Sequence, residues 1–455
     1  LDAIEVLRIH VLRPGGHAYY VEDLVPGRAE GTRVSGEPPG EWSGRGADDL
    51  RLAGVVTARD LGRLLDGAHP GTDQRLRAGR RDATAGFDLT FCAPKSVSLL
   101  HLLAPGEMAA EVGVGHARAV ADALGYLERS AAGVRRRRDG EPVRLGATGL
   151  VAGTFLHRTS RVLDPHLHSH VVVANVAHGL DGDWSALDGR RLFRHATAAR
   201  ALYHARLRAE LADRLGVAWR VPPSGMGDVV GVDPTLCRLF SGRTADITEH
   251  VQAVGRRASP GSTGPTGPMP SRRLAALITR PAKEGALTVD ELVERWRERA
   301  LEFGYPTTEL TQAVGLGRQP QTRERGTNPD HDRLARRLGE LADHGRWLSR
   351  SDVVAEVAAA RVSGALSSEV EAVADRVVGL AAGPVQPVRD RRTVRGREPR
   401  WAADRLADAA SRMSGRDLPA PGRLAGSVDR ALAGAQRAIQ ASRTHEHAHD
   451  LSFHR

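Results

Sequence analysis

Three histidines, His157, His168 and His170, carry the strongest chemical signal in the chain. In an extended strand, residues two apart point to the same face, so His168 and His170 present their imidazoles together. His157 precedes them across a turn that Asp164-Pro165 favours. If the two arms pair antiparallel, His157 joins that face when it lies opposite residue 168 or 170. Both pairings suit a short loop centred near residue 163. Three neutral imidazoles on one face would form a facial site for a divalent cation, with Mg²⁺, Mn²⁺ and Zn²⁺ as the candidates, and would leave positions open for substrate and water. The alternative is ordinary surface or core histidines in a chain that carries 19; the third histidine and the strand context favour a ligand set. His166 sits at the end of the loop and reads as a solvated or partner-facing residue rather than a ligand.

Two of the five tyrosines are adjacent, Tyr19 and Tyr20, just after a glycine turn. With a pKa near 10, roughly 0.1% of a phenol is phenolate at pH 7, so a nucleophilic tyrosine needs help worth about 4 kcal/mol. A cation polarising a phosphate oxygen provides such help at the transition state. Asp88 stands on an otherwise apolar strand, GFDLTFC, and a buried carboxylate needs partners. It could orient a histidine ligand or accept the tyrosine proton, and a carboxylate with an ordinary pKa is a weak base for a phenol. A purely structural, paired Asp88 is the third possibility. Lys95, at the end of that strand, suggests a phosphate contact or an exposed surface lysine. The run Arg135, Arg136, Arg137 and Arg138 is a solvated face or, on a two-stranded ribbon, a groove-binding one. With Lys95 and Arg158 it makes up the expected set of DNA contacts.

These residues need strands and turns in particular places. Positions 4–12 read as a strand, 35–54 as a loop compacted around Trp42, and 58–66 as a short amphipathic helix. Residues 86–92 alternate as a strand that Pro94 ends. From Ser96 to about Glu128 the apolar positions, Val112, His116, Val120, Leu124 and Leu127, return at helical spacing. VRRRRDGEPVRL places a DG dipeptide between two basic arms, a hairpin signal. GLVAGTFLH and HLHSHVVVAN read as two buried strands joined across LDP. Residues 191–215 read as a helix with Leu207, Leu211 and Leu215 on one face. Residues 258–270 form a Pro/Gly/Ser linker. Beyond about 300 the chain is Arg/Ala/Glu-rich and helical apart from a polar loop at 316–333. The expected domains are 1–300, a helical extension at 301–382, and an Arg/Ala-rich flexible tail at 383–455.

The 455 residues carry a formal net charge of +10, which points to a polyanionic partner, nucleic acid before an acidic membrane surface. A hydrolase of small molecules has no use for such a charge. All but two of the 65 Lys and Arg residues are arginine, and neither Lys95 nor Lys283 follows a glycine. No GxxxxGK[ST] phosphate loop exists in this chain, which excludes a Walker-type NTPase or helicase within it. Two cysteines, Cys92 and Cys237, cannot build a disulfide framework or a cysteine zinc ribbon. No apolar run approaches a membrane span, and LDAIEVLRIHVLRPGG does not read as a signal peptide, so a cytoplasmic protein without membrane insertion is expected.

The ordered set AYY at 18–20, EPPGEWSGRGADDLRLAG at 37–54, FDLTFCAPKSVS at 87–98, FLHRTSRVLDPHLHSHVVVAN at 155–175 and DWSALDGRRLF at 183–193 resembles the relaxase domain of MobF-class conjugative relaxases, the TrwC/TraI-like group. The resemblance covers about residues 1–300. It implies an α/β (α+β) fold, a two-layer antiparallel sheet with flanking helices and an HUH endonuclease-like palm, here followed by a helical C-terminal extension. It also implies nicking at a plasmid transfer origin by transesterification. In that comparison Tyr19 resembles the nucleophile that becomes linked to the 5′ end, His157, His168 and His170 the metal ligands, and Asp88 the carboxylate beside them. The implied DNA is a single strand with an adjacent hairpin; a coupling ATPase, accessory DNA-bending proteins and a separate helicase are the implied partners. The sequence departs from the pattern in two ways. Residues 26–34, PGRAEGTRV, lack the second tyrosine cluster, so a second strand transfer would fall to Tyr20 or another subunit, and the phosphate loop of a fused helicase is missing. A rolling-circle initiator or transposase would use similar chemistry, but usually places the tyrosine after the histidines. A non-catalytic DNA-binding remnant is the reading from another class.

Overall fold

The strand over 86–92 and the strand after LDP form the centre of a five-stranded antiparallel sheet in the computed structural model of this chain. The structure describes residues 7–13, 34–78, 84–104, 106–138, 141–160, 162–222, 225–242, 287–315, 329–382 and 399–413. The strands of the sheet are β1 (Arg8–Leu12), β3 (Glu41–Ser43), β4 (Gly86–Cys92), β7 (Ala152–Thr159) and β8 (Pro165–Ala174), in spatial order β1-β4-β8-β7-β3. Outside the sheet, β5 (Gly133–Arg138) and β6 (Glu141–Gly146) form the basic hairpin, with Arg138 opposite Glu141. Short pairs join β2 (Val34–Ser35) to β13 (Leu287–Thr288), β9 (Ala177–His178) to β10 (Trp184–Ser185), β11 (Trp219–Arg220) to β12 (Asp228–Val229), and β14 (Trp347–Ser349) to β15 (Arg400–Ala402).

Two expectations of the first hundred residues change. The strand expected over 4–12 is described from Arg8, its first residues lying outside the described part. The 35–54 stretch is more than a loop: it contains the edge strand β3 and the helix α1 (Arg45–Asp49). Trp42 pairs with Gly153 of β7, and the buried Glu128 accepts from the backbone N–H groups of Arg45 (2.7 Å) and Leu150 (3.0 Å). A carboxylate at a helix start satisfies donors that have no partner within the helix. That remote carboxylate is invisible in the local pattern.

The helix expected at 58–66 is α2 (Ala58–Leu65), capped by Thr57, whose hydroxyl accepts from the N–H of Asp60 at 3.1 Å. Leu61, Leu64 and Leu65 are fully buried with Phe155, Val172 and Ala174 of the sheet, each contributing roughly 1.5–3 kcal/mol by leaving water. The opposite face of the sheet, with Leu89, Phe91, Val171 and Val173, is buried. Beside the central strands pack α3 (Lys95–Leu103), α4 (Gly106–Ala131) and α5 (Gly189–Leu215). Pro94 ends β4 and caps α3, and Leu207, Leu211 and Leu215 are buried as one stripe.

The remaining helices are α6 (Pro234–Leu239), α7 (Val289–Glu302), α8 (Pro329–Asp343), α9 (Arg350–Ala360), α10 (Ser367–Ala382) and α11 (Ala403–Arg412), with a 3₁₀ turn at Thr307–Ala313. In α9 every residue from Val353 to Ala360 is buried, the mark of a helix enclosed on all sides. It lies against α5, where Gly364 (φ +84°) brings its loop so close that a Cβ there would meet the Ala205 carbonyl at 2.2 Å. Asp122 of α4 caps α10 by accepting from the Ser367 N–H (2.9 Å) and hydroxyl (2.7 Å). Within the stretch expected as flexible tail, residues 400–412 form β15 and α11, because Leu406, Ala409 and Ala410 bury a small-residue face against neighbouring helices. The expected loop at 316–333 gives way to α8 at Pro329; the 258–270 linker and residues 416–455 lie outside the described residues.

Candidate active site

Register decides whether the histidines meet. In the β7–β8 pair His157 lies directly opposite His168 and Phe155 opposite His170, the first of the two pairings that the turn allows. A shift follows at once, since Thr159 pairs with Pro165. The side chains of His157, His168 and His170 therefore share one face, and one ring nitrogen from each lies within 4.8 Å of the others. Their rings are 5.1–5.4 Å apart between centroids. The same face continues through Phe155, Val172 and Ala174 into the apolar cluster beneath α2, so the triad stands where a dry core ends.

The second ring nitrogens fix how the triad can act. His168 donates from Nδ1 to the His166 carbonyl at 2.9 Å, and His170 donates from Nδ1 to Asp88, 2.9 Å from both carboxylate oxygens. With Nδ1 holding the proton in both rings, Nε2 keeps its lone pair for a ligand. Burial pushes His157 down to about 3, with His170 adding to the shift and Asp88 opposing it. Burial also holds His168 well below the usual histidine range, helped by His166, His170 and His157. Neutral imidazoles at pH 7 are what a cation needs. The donor set thus fits a divalent metal.

Asp88 is 2% exposed, sits between His10 of β1 and Val172 of β8, and reaches His170 diagonally, since Thr90 is the residue opposite His170. Of the roles open to Asp88 in sequence, the geometry supplies the orienting one. His166 is part of β8 rather than of the loop, because the strand begins at Pro165; its ring lies 4.7 Å from that of His168, outside the triad. Tyr19 and Tyr20 lie outside the described residues.

The expected DNA contacts separate. Lys95 Nζ donates to the Pro165 carbonyl at 2.6 Å, and burial pulls the ammonium below its usual range while Asp164 opposes. Arg158 pairs with Glu37 at 2.8 Å, and Glu37 also accepts from the Arg158 backbone N–H at 2.7 Å. Arg136 is committed to Asp181 (2.6 Å), Asp183 (3.1 Å) and Ser185 (3.0 Å). Arg135 is exposed on the hairpin, and the side chains of Arg137 and Arg138 are outside the described part. These partners come from segments that local sequence does not connect to the arginines.

Sequence reading also missed a buried support beneath the triad. His116 of α4 bridges the Tyr203 hydroxyl (2.8 Å) and the Ser169 hydroxyl (2.8 Å), and Ser169 lies between His168 and His170. Its helical spacing marked His116 as a core position but gave no partner.

Residues 13–303 match the family model described as TrwC relaxase. The multifunctional conjugation protein TraI of Escherichia coli K12 is 34% identical over 284 residues, covering 60% of this chain and 15% of that protein. The chain thus spans about 15% of the length of the curated relatives it matches. Among solved structures, the metal-free conjugative relaxase TrwC in complex with OriT DNA is 33% identical, with a TM-score of 0.55, over 66% of this chain and 99% of that one. The metal-bound form gives 32% and 0.56 over the same shares. A TrwC complexed with a 27-mer DNA comprising the recognition hairpin and the cleavage site gives 31% and 0.55.

Proposed function

The chain belongs to the TrwC relaxase family, and from that premise we propose that it nicks and rejoins one DNA strand at a plasmid transfer origin, starting conjugative transfer. The observation that carries the reading is the histidine triad on paired strands, with Asp88 holding one imidazole from behind. Tyr19 is the proposed nucleophile and Tyr20 its neighbour in reserve. The phenol oxygen attacks the scissile phosphorus, the bond to the 3′ oxygen breaks, and that oxygen leaves as a hydroxyl. One phosphodiester replaces another, so the 5′-phosphotyrosine stores the energy for rejoining without any nucleotide.

His157, His168 and His170 would hold a divalent cation through one ring nitrogen each. A cation held there supplies positive charge beside the phosphate oxygens as charge develops on them. The chain's own residues do the rest: burial keeps His157 and His168 neutral, Asp88 fixes His170, and the His166 carbonyl fixes His168. The ion is proposed as Mg²⁺ or Mn²⁺, with Zn²⁺ as the further candidate. Among the described residues no helix is long and apolar enough to cross a membrane, and the working site is proposed to be the cytoplasm.

The substrate is proposed to be a hairpin followed by a single strand. Arg135, Arg137 and Arg138 of the hairpin β5–β6 are the proposed phosphate contacts, whereas Lys95, Arg136 and Arg158 serve the protein's own framework. A coupling ATPase, accessory DNA-binding proteins and a separate helicase are proposed partners. The nicking unit is proposed to span residues 1–300, followed by a helical extension at 301–382 to which β15 and α11 add, with the rest of 383–455 as its tail. H168A tests the site: cleavage of an origin oligonucleotide should vanish while hairpin affinity stays within about twofold. Loss of hairpin binding would make the triad structural instead.

A further inference from the structure

The turn between the two histidine strands and the first residues of β8 after it are held by donors from several other elements. Trp296 of α7 donates from its indole N–H to the Leu163 carbonyl at 2.8 Å. Lys95 takes the Pro165 carbonyl (2.6 Å), the His168 ring takes that of His166 (2.9 Å), and the Ala93 N–H takes that of Leu167 (2.9 Å). The buried Asp164 accepts from the Gly242 N–H at 2.8 Å, and Ser160 Oγ accepts from the Asp164 N–H at 3.1 Å. At the centre stands Leu163 with φ +59°, a left-handed conformation that is unfavourable for a residue with a side chain. Such a conformation persists only where its surroundings over-determine it. The same turn sets the register shift that follows the His157–His168 pair.

We propose that Trp296 and Lys95 are positioning residues for the metal site: together they hold the Leu163 turn, and through it the spacing of His157 against His168. The inference rests on the metal reading above. It accounts for one of the two lysines in a chain that otherwise uses arginine. A single buried carbonyl takes a compact ammonium, whereas a planar guanidinium would leave donors without partners. It also gives α7 a role. Trp296 is 5% exposed and 133 residues from its acceptor, so α7, at the end of the matched family segment, is tied directly to the turn beside the triad.

The test uses the full chain and two readouts other than activity: Mn²⁺ affinity by calorimetry and the Cu²⁺ electron paramagnetic resonance spectrum. W296F keeps the ring and removes the N–H. It should weaken Mn²⁺ binding about tenfold, in the range for residues that orient metal ligands, and alter the nitrogen hyperfine pattern, with hairpin DNA affinity unchanged. Adding L163G, which removes the left-handed penalty, should restore both readings. Mn²⁺ affinity within twofold of wild type in W296F, or no recovery in the double variant, overturns the proposal. If W296F does not fold, K95M carries the same readings. Wild-type chain without saturable Mn²⁺ binding overturns the metal reading and this proposal together; equal binding by wild type and W296F overturns the positioning role alone.

Discussion

Acid should loosen the histidine strands from below, through a residue that touches no substrate. His116 is fully buried, and burial, reinforced by the charges of His101 and His166, pushes it down to about 3. In the unfolded chain a histidine titrates near 6.5. Below that pH the unfolded state takes up a proton that the native state refuses, so stability falls as pH drops from 6.5 toward 3. Between pH 6.5 and 5 this one residue should remove about 1.6 kcal/mol. The effect bears on the site because His116 holds Ser169, which separates two of the triad histidines. Urea unfolding of wild type and H116Q at both pH values isolates it. The glutamine can bridge the same two hydroxyls but cannot titrate, so its loss of stability over that interval should be smaller by about the same 1.6 kcal/mol. Parallel losses in the two proteins would refute the argument, because they would mean that His116 titrates alike folded and unfolded.

Two other substitutions separate the site from its scaffold. D88N keeps an acceptor for His170 but removes the charge, and it should lower Mn²⁺ affinity by about 10- to 100-fold by calorimetry; unchanged affinity would deny Asp88 its orienting role. Arg208 is 1% exposed and donates to the carbonyls of Gly225 (2.8 Å), Ala358 (2.9 Å) and Arg361 (2.9 Å), fastening α5 to the end of α9. R208M removes those bonds, leaving the Arg361 carbonyl only the Gly364 N–H, and should cost about 3 kcal/mol or more in urea unfolding without changing metal affinity; a loss under about 1 kcal/mol would contradict this packing account.

The site was legible in the sequence where chemistry follows from short-range geometry. Period two along HLHSH, with a DP turn between it and the strand that carries His157, is enough to put three imidazoles on one face, and a carboxylate inside GFDLTFC must find a partner. The basic hairpin was legible for the same reason, since DG between alternating arms closes only one way. What was not legible depends on partners far along the chain. Glu37 claims Arg158, Asp181 claims Arg136, and Pro165 claims Lys95, so three cations that look alike in sequence are already engaged. Likewise the alanine- and valine-rich α9 carries a weak local pattern, and its burial on every side comes from how closely small residues let α5 approach.

The central claim is that a tyrosine of this chain becomes covalently joined to DNA, and a gel assay for that adduct tests it most directly. Purified full chain, with Mg²⁺ or Mn²⁺, would meet single-stranded oligonucleotides carrying the inverted repeats that flank its own gene. The account predicts a protein band shifted by the 5′ side of the cut strand, absent in Y19F and absent in H168A. An adduct that survives in Y19F would move the nucleophile to Tyr20. Tight hairpin binding with no adduct under either metal would contradict the account and leave a protein that grips DNA without cutting it.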